Sequence, residues 1–187
     1  GLPIAVIPGY VHEQLGFSAV VAGVTIGSQY LATLLSRPMA GRMSDNVGTK
    51  RAIVLGLSGI LLSGVLTFFA TLLHSLPSLS LGILLVGRVL LGVAQGLIGV
   101  GTISWCMGQV GAEHTARSIS WNGIASYGAI AIGAPLGVVM VAQYGYNSLG
   151  PALAVLAALG LVLIRKKPSV PVVRGERLPF WAVFGRI

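Results

Sequence analysis

Leu79 to Trp105 reads LSLGILLVGRVLLGVAQGLIGVGTISW, an apolar run interrupted by a single cation, Arg88. A membrane helix needs about 20 mainly apolar residues, so this run can cross a bilayer alone. Arg88 lies nine residues beyond Leu79. At 1.5 Å per residue that places it roughly 14 Å into the span, near the middle of a hydrocarbon core about 30 Å thick. A guanidinium at that depth is costly and is commonly functional.

Working outward, four further stretches have the length and composition to span: Ser18 to Ser36, Ala52 to Leu73, Ile119 to Gln143 and Leu149 to Ile164. Gly1 to Val11 is apolar but too short, and is expected to complete a first helix begun upstream. The chain opens without Met and ends at Ile187 soon after a basic segment, so both ends are expected to be cuts in a longer protein. Charged residues make up 9% of the chain, against roughly 25% in soluble domains. With a positive mean hydropathy and 27 glycines, this indicates an all-α, polytopic membrane helix bundle.

The basic residues set the topology. Arg37, Arg42, Lys50 and Arg51 fall in one gap, Arg117 in another, and Arg165, Lys166, Lys167, Arg174, Arg177 and Arg186 after the last span. The alternate gaps, His12 to Phe17, His74 to Ser78 and Tyr144 to Ser148, contain no Lys or Arg. The positive-inside rule then puts 37–51, 108–117 and 165–187 on the cytoplasmic side. The formal charge of +8 fits loops beside anionic headgroups, and no nucleic acid is expected. Two domains of the sequence follow: a transmembrane bundle over 1–164, and the start of a cytoplasmic linker over 165–187. In that linker Leu178 to Ile187, with Phe180, Trp181, Phe184 and Arg186, suits a short interfacial helix or the start of a seventh span.

Arg88 has no acid at its depth. The four acids, Glu13, Asp45, Glu113 and Glu176, all fall in loops or the tail. Gln29, Gln95, Asn122 and Tyr127 are the polar span residues expected to line a central cavity with it, while Trp105 and Trp121 suit interfacial anchors. His12, His74 and His114 are read as solvated loop residues. Gly23 and Gly27, Gly92 and Gly96, and Gly133 and Gly137 are each four apart, so each pair shares a helix face suited to close packing. Cys106 alone permits no internal disulfide. The chain has no phosphate-binding Gly-x-x-x-x-Gly-Lys-Ser/Thr loop, no His-Glu-x-x-His zinc motif and no Gly-x-Ser-x-Gly turn, so no catalytic residue, metal or cofactor is expected.

Gly41-Arg42-Met43-Ser44-Asp45-Asn46-Val47-Gly48-Thr49-Lys50-Arg51 resembles the signature Gly-x-x-x-Asp-x-x-Gly-x-Lys/Arg found between the second and third helices of the major facilitator superfamily. Asp45 is an anion among cations, able to pair with them or to cap a helix. Gly41 allows close helix approach and Gly48 a tight turn. Arg88-Val89-Leu90-Leu91-Gly92 is similar to the superfamily's fourth-helix motif Arg-x-x-Gln-Gly, with Leu91 in the Gln place and Gln95 one turn on. Gly133-Ala134-Pro135-Leu136-Gly137 resembles the fifth-helix motif of its exporters, with Ala134 and Val138 as departures. Gly1 to Tyr10, with Pro3 and Pro8, resembles the end of their first helix.

The resemblance covers the whole chain and is nearest to a bacterial inner-membrane branch related to arabinose and drug exporters. It implies half of a twelve-helix fold, a missing C-terminal half, and alternating access around a midplane site. The implied function is secondary active transport of a small organic solute, sugar or drug-like, as proton-coupled efflux by an antiporter. In that scheme Gly41, Asp45, Gly48, Lys50 and Arg51 form an inner gate. Arg88, Gln95, Gln29, Asn122 and Tyr127 serve the central site or coupling, and Gly133, Pro135 and Gly137 the outer gate. A six-span scaffold or membrane enzyme that needs no second half is the alternative.

Overall fold

The computed structural model describes residues 1–170, leaving out the Ala112 side chain. The tail expectations at Leu178 to Ile187, together with Arg174, Glu176 and Arg177, lie outside the described residues. A short helix α1 (Ile7–Gly9) runs on into a π-helical turn (Tyr10–Gln14). Five long helices follow: α2 (Ala19–Asn46), α3 (Thr49–Leu72), α4 (Pro77–Val110), α5 (Thr115–Tyr144) and α6 (Leu149–Arg165). Each is long and apolar enough to cross a membrane, the last when counted from Tyr146.

The spans appear where apolar length requires them, but their ends differ from the expectation. α2 runs on past Ser36 and through Pro38 to Asn46. Arg37, Gly41, Arg42 and Asp45 are therefore helical rather than in a loop. Polar residues end a bilayer span without ending a helix, because the helix satisfies its own backbone as well in water as in lipid. α4 likewise reaches Val110, five residues past Trp105. At the other end of the bundle His12 and Glu13 belong to the π-turn, not to a loop.

α2 begins at Ser18, whose Oγ accepts from the Val21 amide at 3.4 Å, and α4 begins with Pro77 at a position where no amide donor is needed. α3 packs between α4 and α6, and α2 packs on α4. These contacts are made through small residues. A Cβ built at Gly92 would sit 2.2 Å from the Gln29 carbonyl oxygen, and one at Gly64 would sit 2.9 Å from that of Gly150. Backbones approach this closely where glycine supplies at least one of the two surfaces. Gly133 and Gly137 meet Gly1 and Leu2 in the same way, whereas Gly23 and Gly27 have nothing within 4 Å. The expected close packing holds for two of the three glycine pairs.

One end of the bundle carries Arg42, Lys50, Arg51, Arg117 and Arg165 and is called the basic end. The opposite end is tied by an apolar cluster that includes Ile7, Tyr10, Val11, Leu84 and Leu149. Tyr10 is fully buried there and stacks at a tilt on Tyr146, with ring centres 5.1 Å apart. Its hydroxyl donates to the Ala70 carbonyl at 2.9 Å, and Ser80 Oγ donates to the same carbonyl at 2.8 Å. Tyr10→Phe should therefore cost about 1 kcal/mol, since Ser80 still serves that carbonyl. The check is a small drop in melting temperature of the full-length protein; an unchanged value would mean the hydroxyl holds nothing.

Candidate functional site

Among the described residues Arg88 is the largest fully buried side chain, with no exposed surface. It lies eleven residues into α4, about 16 Å from that helix's start, and helical side chains lean back toward the N-terminus. The guanidinium is thereby carried toward the α3–α4 turn, to the level of Thr67 on α3. Arg88 Nη2 donates to Thr67 Oγ1 at 3.0 Å, and Nη1 reaches Gln29 Oε1 at 3.5 Å. Gln29 in turn donates from Nε2 to Gln95 Oε1 at 3.0 Å. Thr67 Oγ1 donates its own hydrogen bond to the Ser63 carbonyl at 2.8 Å.

Three of the five residues expected at the centre, Arg88, Gln29 and Gln95, thus form one network. Gln95, one turn beyond Leu91 on α4, reaches Arg88 through Gln29. The partners of Arg88 are all neutral, no carboxylate pairs with it among the described residues, and its buried Nε has no hydrogen-bond partner. Asn122 and Tyr127 lie elsewhere. Asn122 Oδ1 accepts from Thr102 Oγ1 at 3.2 Å, and Tyr127 on α5 is 76% exposed. Thr67 was absent from the expected set; threonine in a span is common filler, and only the antiparallel α3–α4 pairing gives it a depth matching Arg88.

At the basic end Gly48 has φ +108°, a conformation strained for any side chain, and it turns α2 into α3. Gly41 has nothing within 4 Å, so the close approach expected there is absent among the described residues; α2 presents it to open space. Asp45 is exposed and forms no ion pair among the described residues. The cation expected beside it works elsewhere. Lys50 Nζ donates to the carbonyls of Arg165, at 3.2 Å, and Lys167, at 2.5 Å. It caps the C-terminus of α6, where unpaired carbonyls and the helix dipole favour a cation. Trp105 Nε1 donates to the Pro168 carbonyl at 3.1 Å, so the segment after α6 is pinned from two helices.

α5 is continuous through Pro135. Ser118 and Gly137 are its buried residues, and large apolar side chains such as Trp121, Ile124, Ile132 and Leu136 stand half or more exposed. Gly133 and Gly137 seat the Gly1–Leu2 backbone, placing the Pro135 segment against the start of the chain.

The sequence pattern of the Major Facilitator Superfamily matches residues 1–184. The chain belongs to the Major Facilitator Superfamily. An uncharacterized MFS-type transporter of Pseudomonas aeruginosa is 53% identical over 187 residues, which are 100% of this chain and 46% of that protein. One from Burkholderia mallei is 49% identical with the same coverage. The structure is also similar to the xylose transporter XylE of E. coli in an inward-open conformation. The TM-score is 0.71 at 18% identity, covering 91% of this chain and 45% of that one. That likeness concerns the fold. The chain spans about half the length of the curated relatives it matches. As a major facilitator segment with five membrane-length helices, it is a multi-pass membrane protein with a transporter fold.

Proposed function

We propose that this segment is the N-terminal half of a secondary active transporter of the bacterial inner membrane. In this reading 1–164 is one bundle and 165–187 leads toward a second. The loops of the basic end face the cytoplasm, and a small organic solute moves by alternating access coupled to protons, in the direction of export. The carrying observation is Arg88: a buried guanidinium held by two neutral side chains, with its Nε left without a partner. A structural cation would be fully paired, because an unmatched buried charge is strongly destabilising. A cation kept short of partners is suited to a counter-charge that comes and goes, whether a carboxylate of the second half or an anionic group of the solute.

Gln29 and Gln95 orient that cation, while Asn122 and Tyr127, on α5 and away from that network, line a separate part of the cavity that the second half would cover. Asp45 and Lys50, flanking the Gly48 turn with Gly41 and Arg51, steady the inner gate. Exposed Asp45 is free to pair across the interface, and Lys50 ties the α2–α3 turn to the end of α6. Gly133, Pro135 and Gly137 form the outer gate. Proline removes one helix hydrogen bond and so permits bending against the first helix.

Two experiments test this reading. Ligand-induced thermal stabilisation of the full-length protein across a metabolite panel identifies the solute; stabilisation by no small molecule would count against a carrier. Asp45→Asn in full-length protein should insert normally and lose solute flux in proteoliposomes under a pH gradient. Undiminished flux in that variant would remove Asp45 from the gate.

A further inference from the structure

A second site lies at the basic end, away from Arg88. A cleft of about 780 Å³ opens beside the α2–α3 turn, lined by Thr49, Lys50, Arg51, Val54, Leu55 and Val170 among others. Among the described residues no acidic side chain lines it. Lys50 has three donors and uses two on the end of α6, which fixes the ammonium at the cleft with one to spare. Arg51 is exposed and has no ion pair among the described residues. Thr49 Oγ1 is buried without a hydrogen-bond partner. The cleft therefore gathers two cations, a donor set that fits a phosphate.

The rest of the site is apolar and continuous with the membrane. Arg51, Leu55, Ser58, Leu62 and Phe69 are all exposed on α3. Their spacings of four, three, four and seven put them on one helix face. Leu55 and Leu62 are each 51% exposed and stand about 10 Å apart along the helix, within the depth of one leaflet, about 15 Å. A ligand seated here meets cations at its head and an apolar track below. Free phosphate would leave that track uncovered; a phospholipid would use both parts.

We propose that this cleft binds the headgroup of an anionic phospholipid, with an acyl chain laid along the Leu55–Leu62 face of α3. Basic pockets at a membrane surface attract such lipids with about 1 kcal/mol per cation. The site would hold the α2–α3 turn and the end of α6 together from the lipid side. It requires only that the chain spans a membrane, so it stands or falls apart from transport.

The test reconstitutes the full-length protein in bilayers of equal phosphatidylglycerol and phosphatidylcholine, re-extracts it gently, and counts retained lipids by native mass spectrometry. Phosphatidylglycerol should be retained in preference. Arg51→Gln should cut that preference about fivefold, Arg51→Lys should keep most of it, and excess inorganic phosphate should not displace the lipid. Arg117→Gln, a basic exposed residue outside the cleft, should leave the preference intact. Equal retention of the two lipids overturns the site. So does an unaltered preference in Arg51→Gln, an equal loss in Arg117→Gln, or displacement by phosphate.

Discussion

Arg88→Met in the full-length protein should reduce gradient-driven transport to background while leaving its thermal stability equal or higher. Methionine fills much of the volume of arginine without a charge. Replacing buried ionic groups by apolar ones of similar size is often neutral or stabilising, by about 1–4 kcal/mol. Against that, Thr67 Oγ1 and Gln29 Oε1 each lose a donor, at about 1 kcal/mol apiece. The two effects nearly offset, so the melting temperature should stay level or rise. Arg88→Lys keeps the charge but not the forked donors and should retain part of the flux. A large drop in melting temperature for Arg88→Met would mean that the guanidinium is a structural bolt between α3 and α4. Transport surviving in the same variant would remove Arg88 from the coupling site.

The second large effect is expected at Gly92. A Cβ there meets the Gln29 carbonyl at 2.2 Å and the Ala32 Cβ at 2.8 Å, both on α2. Neither is the end of a flexible side chain, so α2 itself must move. Gly92→Val should cost at least the 1–3 kcal/mol, roughly, of an overpacked core. It should also pull Gln29 away from Arg88, so stability and transport fall together. Gly99, on the same helix, has nothing within 4 Å. Gly99→Ala should be neutral or stabilising by about 1 kcal/mol, the ordinary helix preference for alanine. Equal tolerance of both changes, read by thermal denaturation and flux, would show that the α2–α4 contact is not close in the working protein.

The spans, their number and the family signature were legible from apolar length, the spread of basic residues and the Gly41–Arg51 motif, because bilayer thickness and loop charge act on sequence directly. The placement of Arg88 inside a long apolar helix was legible for the same reason. Its neighbours were only partly so. Gln29 and Gln95 stood out as polar residues in apolar runs. Thr67 did not, because its importance comes from the antiparallel pairing of α3 with α4. The helix ends at Asn46 and Val110 were missed because hydropathy marks the membrane boundary, not the last helical turn. The pairing of Lys50 with the end of α6 was hidden as well. A residue 115 positions away in the chain supplies the acceptor, and backbone carbonyls at a helix end carry no letter in the sequence.

The proposed function requires a water-filled centre where Arg88, Gln29 and Gln95 meet the solute. The most direct test is thiol accessibility in the full-length protein carrying Gln95→Cys as its single cysteine, with Leu62→Cys as the lipid-facing comparison. A membrane-impermeant thiol reagent should modify the Gln95→Cys protein, with solute altering the rate, and should leave the Leu62→Cys protein unreacted. A Gln95→Cys protein inert to the reagent from both sides of the membrane would contradict a central transport site.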